Sequence, residues 1–147
     1  MPCRALISSL VDWFISSNPD SFMPDSINKL EIYRDAMSIG EAVWSLVIDW
    51  DYTAKNTVGQ QIIRSADSIA ANIAEGHGRF HHKENIKFCY YSRGSLTETQ
   101  TWIEKAVHRN LIAKEQGREL YKQLETLHKR FNAYITSIRK NISTTND

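Results

Sequence analysis

The chain has little of what punctuates small β proteins, and little of what does chemistry. Of its 147 residues three are proline, at Pro2, Pro19 and Pro24, so none follows Pro24. A long proline-free body favours helices over many short strands, because tight turns draw on proline and glycine. Two cysteines, Cys3 and Cys89, make neither a disulfide framework nor a cysteine metal set. Cys89 falls on an apolar helical stripe and reads as a buried thiol, which fits a reducing, cytoplasmic setting. No apolar run reaches the roughly 18 residues of a membrane span, so no membrane partner is expected. The opening stretch MPCRALISSLVDWFISS has one basic residue and is broken by Asp12, which makes a poor signal peptide. There is no internal repeat and no low-complexity segment.

Catalytic motifs are equally scarce. The serines lack a GxSxG context, and GHGR lacks the phosphate-loop spacing with a strand before it. Glu125-Thr-Leu-His128 has the Glu-x-x-His spacing of di-iron bundles but occurs once, and two metals need a second copy. His77, His81 and His82 gather around a turn at a spacing that could bind zinc or nickel. No Cys, Asp or Glu lies inside that turn to complete a ligand set. The expectation is a chain that is not an enzyme, with no cofactor and no metal.

What the chain does have is helical period. The stretch from Thr57 to Arg79, TVGQQIIRSADSIAANIAEGHGR, carries Val58, Ile62, Ala66, Ile69 and Ile73 at helical spacing. Thr57 and Gln60 have capping-box spacing at its start. Gly76 and Gly78 stand at its end as C-cap candidates. Ser65, Ser68, Ala70, Ala71 and Ala74 form a ridge of small residues that admits a second helix closely. Before it, a helix is predicted from Asp25 or Ser26 to about Trp50, apolar over two faces, and the polar connection DWDYTAKN follows. After it, a third helix runs from about Lys83 to Arg109, with Gly94 in its middle. A mid-helix glycine costs about 1 kcal/mol relative to alanine, and close approach to the central helix would explain it. Asn72 and Glu98 would then bond each other across that contact. A last helix, with Leu120, Leu124, Leu127, Phe131, Tyr134 and Ile138 in a 3/4 repeat, extends to about Lys140.

Short connections between four such helices predict an all-α, antiparallel up-and-down four-helix bundle over residues 25–140. Residues 141–147 read as a flexible tail. Residues 1–24 form an N-terminal extension, in which positions 6, 7, 10, 11 and 14 fit one face of a short helix. Three readings fit that extension: a helix docked on the body, a frayed segment, or an over-long gene start ahead of Met23.

Charge is divided unevenly. Residues 1–75 hold five Lys/Arg against ten Asp/Glu, and residues 76–147 hold thirteen against seven. Such an asymmetry suits internal balance, packing between subunits, or a polyanion on the basic half. On the third and fourth helices the cations alternate with Tyr90, Tyr91, Trp102, Tyr121 and Tyr134, which suits nucleic acid. The candidate phosphate contacts are Arg79, Lys83, Lys87, Arg93, Arg118, Lys122, Lys129 and Arg130. Apolar residues left over from one face per helix, Trp44, Trp50, Phe88 and Trp102, point to self-association.

QQIIRSADSIAANIAEGHGR followed by RGSLTETQTWIEKA resembles the bacterial four-helix bundle family of ribosomal RNA intervening-sequence proteins, which includes the accessory variability proteins of diversity-generating retroelements. The resemblance covers roughly residues 28–138. It rests on Gln61, Arg64, Ser68, Ile69, Asn72, Ile73, Glu75, Gly76, Gly78 and Arg79, and on Gly94, Ser95, Leu96 and Glu98. It implies a homopentameric ring and, for the retroelement members, binding of nucleic acid and of a reverse transcriptase through a basic surface. Gln61, Arg64, Ser68, Asn72, Glu75, Gly76, Gly78, Gly94, Ser95 and Glu98 are expected to be structural. The chain departs from the family pattern at His81 and His82, and at Ala113, where polar caps usually open the third and fourth helices. The functional expectation is an oligomeric scaffold that binds RNA or DNA through the basic face of helices three and four. The alternative is a structural or protein-protein interaction module.

Overall fold

The computed structural model describes residues 22–145. The expectations for residues 1–21, and for Asn146 and Asp147, lie outside the described residues. The described chain is all-helical: α1 (Asp25–Asn28), α2 (Glu31–Val47), α3 (Tyr52–Ala54), a π-helical turn (Lys55–Gly59), α4 (Gln60–His77), α5 (His82–His108) and α6 (Lys114–Thr145). Among the described residues there is no strand, and no helix is long and apolar enough to cross a membrane.

The apolar stripes form the core as their period requires. Ile32, Ala36, Ile39 and Val43 of α2 meet Ile62, Ala66, Ile69 and Ile73 of α4, Leu96 and Ile103 of α5, and Leu120, Leu124, Leu127 and Phe131 of α6. Contacts run from α2 to α4, α4 to α5, α5 to α6 and α6 back to α2. Ser92 donates to the carbonyl of Ile69 at 2.9 Å, and the hydroxyls of Thr99 and Ser65 meet at 3.0 Å. These hydroxyls are buried and would cost free energy unpaired, so the small ridge of α4 serves them as well as close packing.

Element ends differ from the sequence expectations, each for a local reason. The first helix is broken at Leu30, whose extended backbone (ψ 116) separates α1 from α2 while Ile27 and Ile32 both reach the core. The capping box at Thr57 and Gln60 does not form. Asp51 caps earlier, its carboxylate accepting from the amide of Ala54 at 3.0 Å. The chain then runs helically from Tyr52 to His77, and Thr57 donates its hydroxyl back to the carbonyl of Thr53. The π turn inserts an extra residue and turns Val58 and Gly59 inward. A Cβ on Gly59 would stand 2.8 Å from Val47 Cγ1, so glycine here lets α2 and the turn touch.

Gly78 ends α4 in right-handed geometry (φ −75), closed by backbone bonds to Ala74 and from Arg79 to Gly76. The left-handed cap foreseen at these glycines is at Asn110 instead (φ 58), where the amide of Leu111 reaches back to the carbonyl of Ala106 at 2.8 Å. Ala113 has no capping side chain; Gln116 Oε1 accepts from its amide at 3.3 Å. The tail expected to be loose from residue 141 continues α6 through Thr145.

Candidate nucleic-acid interface

The eight candidate cations separate into two groups once the helices are placed. Lys83 and Lys87 are four apart on α5 and share a face. Arg79 precedes them in the turn, and Arg93 follows. Three of these four sit over aromatic rings. The Arg79 guanidinium lies 5.0 Å from the Phe88 centroid, Lys87 Nζ 5.8 Å from Tyr91, and the Arg93 guanidinium 5.7 Å from Tyr90. Such contacts hold long side chains in place without removing their charge. Arg139 of α6 joins them by donating to the Tyr90 hydroxyl. Arg79 also pairs with Glu75 at 2.5 Å, on a surface where both stay largely exposed.

Arg118 and Lys122 belong to the other end of α5, where Gly117 lies against Val107 and Ile103. Lys122 and Arg130 line a groove with Asp35 and Glu119, so cations and carboxylates there balance. Arg130 is bound to Asp35 of α2, and that carboxylate holds its guanidinium still more firmly charged. Lys129 is exposed on the same helix. Sequence reading therefore found the cations but not their grouping. Arg139 was not among the candidate cations, and Phe80, which is 93% exposed, had no place among the candidates. The four-residue steps Arg79, Lys83, Lys87 were the available signal.

The residues expected to be structural have mostly local partners. Arg64 donates to Gln61 Oε1 at 2.7 Å, Ser68 donates to the carbonyl of Arg64 at 2.7 Å, and Asn72 donates to the carbonyl of Ser68 at 2.9 Å. Glu98 accepts from the indole of Trp102 at 3.3 Å on an exposed face. The Asn72–Glu98 pair is thus not formed, because each finds a partner one turn away on its own helix. Gly94 is exposed, and a Cβ there would meet nothing within 4 Å. The close approach expected at Gly94 occurs at Gly76, whose Cβ would stand 2.8 Å from Phe88 Cβ and 2.9 Å from Asn85 Oδ1. Ser95 is half-buried and offers its carbonyl to Thr99 at 2.8 Å.

A family model for 23S rRNA-intervening sequence proteins matches residues 28–133, which spans α2, α4, α5 and most of α6. The chain belongs to the 23S rRNA-intervening sequence protein family. Its fold is shared with a crystal structure of a protein of unknown function from the S23 ribosomal protein family of Bacteroides thetaiotaomicron. That likeness has a TM-score of 0.64 at 20% identity, covering 71% of this chain and 97% of the other. No functionally curated protein matches the chain.

Among the described residues no three His, Cys, Asp or Glu are grouped to hold a metal ion. His77 meets Ser26 at 3.2 Å, and His81 and His82 are exposed. Cys89 is buried, its thiol directed at Asn85 Oδ1 at 3.7 Å, and burial pushes its pKa up to about 11 from 9.0. The native state therefore holds the thiol proton more tightly than the unfolded chain. Stability tied to this group is full below pH 9.0 and is lost as pH rises through about 11. Urea unfolding across that window should show a falling midpoint in the wild type and a flatter response in Cys89→Ala.

Proposed function

We propose that this family member is a non-enzymatic, self-associating helical scaffold that binds RNA or DNA through the cations at the amino-terminal end of α5 and the facing part of α6. We infer an antiparallel up-and-down four-helix bundle as its frame. The paired contacts Ser65 with Thr99 and Ile69 with Ser92 run in opposite senses along α4 and α5 and support that inference, and so do Asn85 with Tyr134 and Val107 with Gly117 along α5 and α6. The observation that carries the binding reading is the local one. Lys83, Lys87, Arg93 and Arg139 occupy one end, three of the neighbouring cations lie over rings, and the cations near Asp35 and Glu119 are balanced. A cationic end of this kind contacts phosphates and displaces counterions.

Self-association rests on Trp44 and Ile48, which leave 50% and 46% of their surface exposed on α2 and just beyond it. These two residues share an apolar depression with Ile63 and Val47. A ring would also gather several cationic ends into one field.

Titrating labelled nucleic acid at increasing salt tests the binding reading. About four phosphate contacts give a slope of log affinity against log salt of about −3. An affinity that does not change with salt would count against it.

A further inference from the structure

The end of α5 that carries the cations also carries an exposed aromatic surface. Tyr90 and Tyr91 leave 43% and 47% of their surface exposed, and Phe80, in the preceding turn, leaves 93%. The rings are positioned rather than free. Phe88 meets Tyr91 edge to face with centroids 5.5 Å apart, Lys87 lies over Tyr91, and Arg93 lies over Tyr90, whose hydroxyl accepts from Arg139. One helical turn beyond them comes Gly94, where a Cβ would meet nothing within 4 Å. This glycine weakens the helix and serves no internal packing. Its effect is to leave bare backbone beside two exposed rings, at the edge of a group of cations.

A duplex keeps its base faces in its own stack and offers a protein mainly phosphates and groove edges. A single strand offers phosphates and unstacked base faces together, and aromatic rings stack on those faces whatever the sequence. Cations alone would suit either ligand equally; exposed rings between them add contacts only with unpaired bases. Resting on the nucleic-acid reading above, we propose that this surface takes single-stranded nucleic acid in preference to duplex. Tyr90 and Tyr91 stack on bases, Lys83, Lys87 and Arg93 hold the adjoining phosphates, and the bare backbone at Gly94 lets the strand pass.

The experiment compares fluorescence anisotropy of the full-length protein with labelled single strands of about 12 nucleotides and with the blunt duplexes of the same sequence, as RNA and as DNA. Single strands of either sugar should bind at least about 10-fold more tightly than the duplexes. The Tyr90→Ala/Tyr91→Ala variant should lose about 10-fold or more on single strands and change little on duplex. Gly94→Leu should weaken single-strand binding with helicity intact by circular dichroism. Equal affinity for single strands and duplexes, with the tyrosine variant neutral on both, would overturn this inference and leave the nucleic-acid reading standing. No binding to any of the four probes would overturn both.

Discussion

Gly76→Ala is expected to destabilise the protein by about 2 kcal/mol, while Gly94→Ala stabilises it by about 1 kcal/mol. Both glycines lie in helices, and alanine is the better helix former by about 1 kcal/mol in each. The surroundings decide the sign. At Gly94 a methyl group meets nothing within 4 Å, so the propensity gain is kept. At Gly76 the methyl would come 2.8 Å from Phe88 Cβ, 2.9 Å from Asn85 Oδ1 and 3.2 Å from the Asn85 carbonyl. Two of those atoms are main chain or directly bonded to it, so relief requires α4 and α5 to move apart. Overpacking of that kind costs about 3 kcal/mol at the upper end of its usual range, which outweighs the propensity. Chemical denaturation of the two variants measures the difference directly. Stabilisation by both would mean that the α4–α5 contact is looser than described.

Replacing Lys83, Lys87 and Arg93 together with alanine is expected to weaken nucleic-acid binding about 100-fold at about 0.15 M salt, and to flatten the salt dependence by about three contacts. The three side chains are exposed or half-buried and support no core residue, so the variant should fold normally. The matching triple change of Arg118, Lys122 and Arg130 should cost less than about 5-fold. Lys122 and Arg130 already face Asp35 and Glu119, so they offer a phosphate little uncompensated positive charge. Arg130→Ala should show mainly as a stability loss of up to about 1 kcal/mol, because its partner Asp35 is only partly exposed. If the second triple variant lost as much binding as the first, the surface would extend along the whole of α6.

What could be read from the sequence follows from the range of the forces involved. Val58, Ile62, Ala66, Ile69 and Ile73 are all buried where their spacing put them, and so are Leu120, Leu124, Leu127, Phe131 and Ile138. Periodicity is a local property, and burial follows it. The glycines were misassigned because their roles depend on another helix: Gly76 is defined by Phe88 and Asn85, and the freedom of Gly94 by the lack of any neighbour. The start of the central rod was misplaced because two caps competed, and Asp51 lies upstream of Thr57. Asn72 and Glu98 were paired on the premise that both are buried; Glu98 is exposed and Asn72 is satisfied within its own turn. For the candidate site, the sequence showed which residues are cationic. It could not show that Asp35, 95 positions away, binds Arg130, or that Tyr90 meets Arg139 from another helix.

Native mass spectrometry of untagged, full-length protein purified without nuclease tests the central claim most directly, because it reads assembly and bound polyanion together. The account predicts a multiple of the chain mass carrying heterogeneous nucleic acid that is shed as salt is raised. A bare single chain, free of nucleic acid at low salt, would contradict it.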